Sequence, residues 1–574
     1  MVRTVRDRGR RLLGIRGIGA APVPDPPVAP LPEPPVAAVA TPQGPWWRRV
    51  HSGAVVSGLI VFGLALVVNG FRSSASPDMH IDELIYTSVS QNLADGHSLS
   101  VQGMQFFWQP PLFFLFCAPI IKLAGLGQTG AVDLVLQLRI INAVIGAMTA
   151  VAMLALGWRL RDAWAGWAMS LLFLTDPFVI RVTRRLYLEP FAAIWFLLAL
   201  WLVSTSMGRW TWRRRVGAGL LFGCAILTKE VVFFSLAVPV VLWLRRQVSW
   251  REPFTILATA LLVYGLYPLW ALVVGEGGSF MTLKLFQYQR LVGVFRYTGW
   301  NRQGVSFTGA LIANAPDYWT SYLLIGLAAP ATAWLWFRRD RVSRFLAAWS
   351  ATTYAFFVGL AKFGTLNDQF FYYLMLPVVA VLGYTFAFNL PRLVSGFREV
   401  LRETHVDPRR LVRQVNVSLA AAVLAVVVLR PNSTVWVQRF ALENDDGVAV
   451  VVSMIDAHVP PGSIVAAPGF AFQELKFVYP AGQYQLTAER DPTMLATEGV
   501  HWFVMATKDV SIGNGMTQPY FDAITRLARP VWQVNEHTQF EMGLWYVADP
   551  TTLATITVPV PQNPDTPGPT IAAS

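Results

Sequence analysis

Charge is what this chain has least of: 14% of its 574 residues are Asp, Glu, Lys or Arg, against roughly 25% in an ordinary soluble domain. So little charge cannot cover a water-soluble protein of this length, which excludes a soluble globular enzyme. Cysteine is nearly absent. Cys117 and Cys224 both lie in apolar runs without metal-ligand spacing, which excludes a disulfide framework and a thiolate metal site and leaves them as packing residues. Duplicated halves and paired broken helices at matching positions are also missing, and that weighs against a transporter.

What is present is apolar. Hydrophobic residues make up 54% of the chain, with 22 Trp and 36 Phe, as suits helices in lipid with aromatic rings at both interfaces. Spanning takes about 20 mostly apolar residues. The runs near 54–70, 139–158, 163–180, 191–206, 216–228, 231–246, 254–274, 322–337, 345–361, 370–390 and 415–430 predict about 11 transmembrane helices. With that count, the basic clusters at the N-terminus, at 158–162, 209–215, 244–251 and 337–344, and from Arg392 to Arg413 all fall on one side. The positive-inside rule makes that side cytoplasmic. The net charge of +12 therefore reads as orientation, not nucleic-acid binding, with the N-terminus inside and the C-terminus outside. The segment PPLFFLFCAPIIKLAGLG, 110–127, is apolar enough to pass for a span, yet counting it would reverse every later loop. It is expected instead as an interfacial or re-entrant helix of the first outer loop, 71–138.

Composition divides the chain into four. Residues 1–48 form a basic, Pro-rich cytoplasmic tail that cannot bury a core, and the charged stretch is too long for a cleaved signal peptide. Residues 49–430 are the transmembrane module. From 431 to 560, short β-like runs between Pro and Gly turns predict a small extracytoplasmic α/β domain, followed by a disordered tail, 561–574.

Chemistry is expected where charge stands without a topological reason. Asp82 and Glu83 in MHIDELIY open an amphipathic helix just beyond the first span. They serve either as helix-start acids or as a proton acceptor with a neighbour that holds it. Glu189 in RVTRRLYLEP falls on the same outer face, with Arg184 and Arg185 as its ion-pair partners or as ligands of an anion. Lys229 in CAILTKEVVFF stands at the turn between two short spans, where it either snorkels or meets a phosphate as a point charge. Two further outer segments mix basic and aromatic groups. Lys284, Arg290, Arg296, Arg302 and Lys362 are candidates to line an anionic pocket, and Phe370, Phe371, Tyr372 and Tyr373 to hold an acyl chain or a sugar, against an interfacial aromatic belt as the plainer reading. His80 and Tyr86 lie near the acids as substrate-contact candidates, and Gln109 precedes a Pro-Pro pair.

Together these residues resemble the GT-C glycosyltransferases that use polyprenyl-phosphate sugars, in particular the branch with protein O-mannosyltransferases and lipid A aminoarabinose transferases. IDELIY is similar to that family's first-loop Asp-Glu, FWQPPLFFLF to its Lys-Pro-Pro-Leu helix, and LRIINAVIGAMTA to its Arg-led second span. LYLEP stands at its second acidic site, ILTKE at its Thr-Lys turn and FYYLMLPVVA at its late Tyr-Leu-Leu-Pro segment, so that the match covers residues 55 to 390. Gln109 replaces the usual Lys, and Glu189 stands where many relatives have Asp.

The resemblance implies transfer of a sugar from a polyprenyl monophosphate to an acceptor hydroxyl with inversion, on the outer face of the cytoplasmic membrane. Asp82 is then the general base. Glu83 and Glu189 position the acceptor or, with Asp82, hold a divalent metal cation. Lys229, Arg184, Arg185 and Lys362 bind the donor phosphate, and His80, Tyr86, Gln109, Arg290, Tyr372 and Tyr373 contact substrate. The acceptor is a protein, a cell-envelope polysaccharide or a lipid. The rival readings are a multi-span transporter and a non-catalytic envelope-assembly protein.

Overall fold

The computed structural model describes residues 52–75, 78–206, 210–295, 299–302, 306–402, 426–442, 446–479, 482–507, 510, 516–533 and 542–558, with backbone alone for Ser52, 388–402 and Phe470. The tails at 1–48 and 561–574, Arg296, the cluster beyond Arg402 and most of the run at 415–430 lie outside the described residues.

The apolar runs become helices. α1 (Ser52–Gly70) leads into α2 (Ile81–Ala94), a two-residue-per-strand hairpin of β1 (Ser100–Val101) and β2 (Met104–Gln105), and α3 (Leu112–Leu123). α4 (Ala131–Leu160), α5 (Ala163–Thr175), α6 (Pro177–Thr183) and α7 (Leu188–Ser206) follow. After α8 (Trp212–Ile226), a 3₁₀ segment, Glu230–Leu236, runs into α9 (Ala237–Leu244). α10 (Arg251–Val273), α11 (Gly277–Leu291), α12 (Phe307–Ala313), α13 (Ala315–Phe337), α14 (Arg341–Phe363) and α15 (Phe371–Arg402) complete the helical part.

Six described helices are long and apolar enough to cross a bilayer, or seven if α5 and α6 count as one bent span. This is fewer than the runs of sequence suggest, for local reasons. The run at 163–180 breaks by 68° between α5 and α6. There Asp176 turns its side chain to accept the Val179 N–H at 3.1 Å, and Pro177 has no N–H to continue the helix. The run at 216–228 falls in α8, which has 15 residues and opens on Trp-Arg-Arg-Arg. The run at 231–246 is divided between 3₁₀ and α geometry, and α14 is long but not apolar enough. α3 has 12 residues, a rise of about 18 Å against the about 30 Å of a hydrocarbon core.

Small residues let these helices approach closely, as they do in lipid, where apolar burial gives no drive to association. A Cβ on Gly157 of α4 would stand 2.6 Å from the backbone of Gly166 in α5, and one on Gly223 of α8 would meet Val263 of α10 at 2.6 Å. Cys117 and Cys224 are free thiols within the helical part.

C-terminal to the helices stands a five-stranded mixed sheet in the order β4-β3-β5-β7-β6. β3 (Ile464–Ala466) runs parallel to β4 (Gln485–Thr487) and β5 (Trp502–Ala506), while β7 (Met542–Val547) is antiparallel to β5 and to β6 (Ala528–Gln533). One sheet face, with Phe503, Met505 and Trp545, packs on Leu495, Tyr520 and Ile524. The other, with Val465, Val504 and Leu544, shares a core with Val451 and Leu475 and with Met79, Leu84 and Val135. The sheet is thus packed onto the start of α2, the segment that carries the acids.

Candidate active site

The N-terminus of α2 is built around a buried carboxylate. His80 is the N-cap: its Nδ1 accepts the Asp82 N–H at 3.2 Å, while Glu83 reaches back to accept the His80 N–H at 3.1 Å, a reciprocal capping box. Glu83 is fully buried. It takes the Arg139 guanidinium in bidentate fashion, Nε at 2.9 Å and Nη2 at 2.8 Å, and accepts the Leu186 N–H at 2.7 Å. Burial alone would raise its pKa, but Arg139 and these hydrogen bonds outweigh it and hold the carboxyl below the usual range. Arg139 also donates to the Ser73 carbonyl at 3.0 Å and reaches Asp446 at 3.4 Å. Asp446, from the segment that leads into the helix Gly447–His458, accepts the Met79 N–H at 2.7 Å, and Asp78 accepts the Gly447 N–H at 3.0 Å. Burial chiefly, with Asp78 adding and Arg139 opposing, raises the pKa of Asp446. The turn bearing Asp82 is therefore clamped by α4 and by the sheet domain.

With Glu83 committed to Arg139, Asp82 is left as the available acid. Its side chain is 30% exposed, and His80 Nδ1 lies 3.8 Å away. Burial pushes the His80 imidazole down, against the pull of Asp82, so it stands beside Asp82 as a neutral ring. From Asp82 a polar line runs inward. Gln369 Nε2 donates to Asp82 Oδ2 at 2.8 Å, Lys229 Nζ donates to Gln369 Oε1 at 3.4 Å, and Nζ lies 2.8 Å from Glu189 Oε1. Glu189 is fully buried, and its Oε2 meets no hydrogen-bond donor of another described residue. Tyr86, also buried, lies in the field of Asp82 and Glu189, and burial pushes its hydroxyl well above the ordinary value.

Four predicted residues, Asp82, Glu83, Glu189 and Lys229, thus meet in one region with His80 and Tyr86. Tyr373 is buried beside Glu189, its hydroxyl without a hydrogen-bond partner among the described residues, and Tyr372 lies next to it on α15. The partner of Glu189 is Lys229, not Arg184 or Arg185. Those two arginines are buried on backbone carbonyls. Arg184 donates to Val68 and Phe71 at 2.9 and 2.7 Å, and Arg185 donates to Asp78 at 2.8 Å with its guanidinium over the Tyr187 ring. Elsewhere, Lys362 lies exposed over Phe363, Arg290 stands over Trp108, and the Gln109 carbonyl accepts the Tyr267 hydroxyl. Lys284 pairs with Glu230 at 2.8 Å.

Sequence reading missed Gln369 and Asp446, and met Arg139 only as the arginine that leads the run LRIINAVIGAMTA. Arg139 carried a signal, a charge inside an apolar run; a neutral Gln and a distant Asp carried none. Of the two acids expected as metal ligands, Glu189 holds the Lys229 ammonium at 2.8 Å. No group of three or more His, Cys, Asp or Glu gathers as a metal site among the described residues.

No family model matches the chain, and no curated protein matches it. Solved structures do. ArnT from Cupriavidus metallidurans bound to undecaprenyl phosphate aligns over 87% of this chain and 98% of its own, at 15% identity and TM-score 0.50. The Archaeoglobus fulgidus oligosaccharyltransferase tethered with an acceptor peptide aligns over 87% and 74%, at 10% identity and TM-score 0.53. The chain shares the fold of these two structures. In a second Archaeoglobus structure, at TM-score 0.50, the same oligosaccharyltransferase is in complex with Zn and sulfate.

Proposed function

We propose that this chain transfers a sugar from a polyprenyl-phosphate-linked donor to an acceptor hydroxyl, with inversion, on the outer face of the cytoplasmic membrane. The observation that carries the reading is the line Asp82–Gln369–Lys229–Glu189. It joins a partly exposed carboxylate to a buried ammonium within one site. A base and a phosphate ligand are the two groups that displacement of a lipid phosphate requires. ArnT with its undecaprenyl phosphate, and the oligosaccharyltransferase that was also solved with a dolichol-phosphate and an inhibitory peptide, support the donor class.

Asp82 Oδ2 is held by Gln369, which leaves Oδ1 to take the acceptor's proton. The acceptor oxygen forms a bond to the anomeric carbon as the bond from that carbon to the phosphate oxygen breaks, and the polyprenyl phosphate leaves with the electron pair. Lys229 neutralises the charge that builds on that phosphate, and Glu189 holds the ammonium in place until the phosphate arrives. Glu83 keeps the turn rigid. A phosphate leaving group needs no strong acid, which suits a neutral His80.

The test is transfer of radiolabelled sugar from membrane polyprenyl-phosphate donors by the intact protein, Asp82→Asn and Glu189→Gln at matched expression. Loss of transfer in Asp82→Asn and a large fall in Glu189→Gln are expected. Transfer left unchanged by Asp82→Asn, or none by the intact protein with any donor, would sink the reading.

A further inference from the structure

Gln369 has no charge, yet it occupies the junction of the site. It lies in a 3₁₀ turn, Asp368–Phe370, between α14 and α15, and is buried. Its amide can satisfy both neighbours in one orientation alone. The NH2 must face the Asp82 carboxylate and the oxygen must face the Lys229 ammonium, because the flipped amide would oppose acceptor to acceptor and donor to donor. The turn is fixed from outside the site. The Asp368 side chain accepts the Gln369 N–H at 2.9 Å and pairs with Arg181 of α6 at 3.3 Å, and Arg181 donates to the Tyr318 hydroxyl of α13 at 2.6 Å. Three residues upstream of Gln369, the Leu366 N–H donates to Asn301 at 3.0 Å, while Asn301 donates to the carbonyls of Leu360 and Gly364 at 2.9 and 2.8 Å. So much bracing around one polar side chain marks its position as set, not incidental.

We propose that Gln369 is a positioning residue that aims the Asp82 carboxylate and joins it to the Lys229–Glu189 pair. This deepens the proposed function and rests on it. Its amide restricts Asp82 to the rotamer in which Oδ1 is open. The contact to Lys229, at 3.4 Å, is longer than the 2.8 Å ion pair with Glu189. An incoming phosphate therefore displaces the amide from the ammonium before it displaces Glu189, and frees the amide to bond Asp82 alone.

Two variants test this in the full-length protein. Gln369→Met keeps length and volume and removes both hydrogen bonds. Gln369→Glu keeps an acceptor for Lys229 but sets a second carboxylate against Asp82. In Gln369→Met, kcat is expected to fall by about 10- to 100-fold, the cost of a misplaced reacting group, with the donor KM within about threefold because Lys229 and Glu189 remain. In Gln369→Glu, the acid limb of the pH–rate profile is expected to move to higher pH. A readout independent of turnover is carbodiimide-driven amidation of Asp82, followed by peptide mass spectrometry, which is expected to rise several-fold in both variants. Unchanged Asp82 labelling overturns the inference, whatever the activity. A kcat within twofold of native in Gln369→Met also overturns it. If the intact protein transfers no sugar, the proposed function falls, and the labelling alone decides whether Gln369 holds Asp82.

Discussion

Arg139→Met is the sharpest test of how the catalytic turn is held. The native guanidinium makes two bonds to Glu83, at 2.9 and 2.8 Å, one to the Ser73 carbonyl at 3.0 Å, and a longer contact to Asp446 at 3.4 Å, all without solvent. Methionine fills much of the same volume but leaves Glu83 as a buried charge whose remaining donors are the backbone N–H groups of His80 and Leu186. Removing one partner of a buried pair costs about 3–5 kcal/mol. At roughly 2 °C per kcal/mol, the lower end for large domains, the apparent Tm in detergent should fall by about 6–10 °C. Transfer should fall with it, because Asp82 rides on the released turn. Adding Glu83→Gln removes the stranded charge and should recover part of the loss, which makes the pair non-additive. Fluorescence-detected size exclusion after a heating series gives each midpoint. An Arg139→Met midpoint within about 2 °C of native, or a double variant as unstable as the sum of the singles, would refute the reasoning.

The same cluster predicts a pH dependence with two opposite limbs. Glu83 titrates below its ordinary value when folded, so its stabilisation is present above that value and is lost as pH falls through the lowered one. Asp446 titrates above its ordinary value when folded, so its contribution is complete below about pH 4 and is lost as pH rises through the raised one. Asp446→Asn stays neutral, so the native protein should be the more stable at pH 5 and should lose that advantage by pH 8; a gap that widens with pH contradicts the assignment. Close helix packing gives a further test. Gly157→Ala drives a methyl group to 2.6 Å from backbone and should destabilise by about 1–3 kcal/mol, whereas Gly58→Ala, whose nearest neighbour is 4.0 Å away, should leave the melting midpoint unchanged.

Much of the site was legible because charge in an apolar chain is conspicuous. Asp82, Glu83, Glu189 and Lys229 each stood where topology gave no reason for a charge, and the structure brings all four together. Their division of labour was not legible. Asp82 and Glu83 are adjacent in sequence, but successive residues on a helix point about 100° apart. One therefore faces Arg139 and the core, and the other is partly exposed and meets Gln369. Nothing in the sequence said which.

Hydropathy and turn composition by themselves determined that apolar helices are followed by a small α/β region, because burying apolar groups and turning the chain are properties of each segment taken alone. Tertiary structure decided what depends on two distant segments meeting. Glu189 is 40 residues from Lys229 and pairs with it in place of its neighbours Arg184 and Arg185, because those arginines donate to backbone carbonyls at the end of α1 and just before α2. Gln369 meets Asp82 across 287 residues, and Asp446 meets Met79 across 367. Hydrogen bonds reach about 3 Å, so their partners are set by packing, and no local pattern in the chain records them.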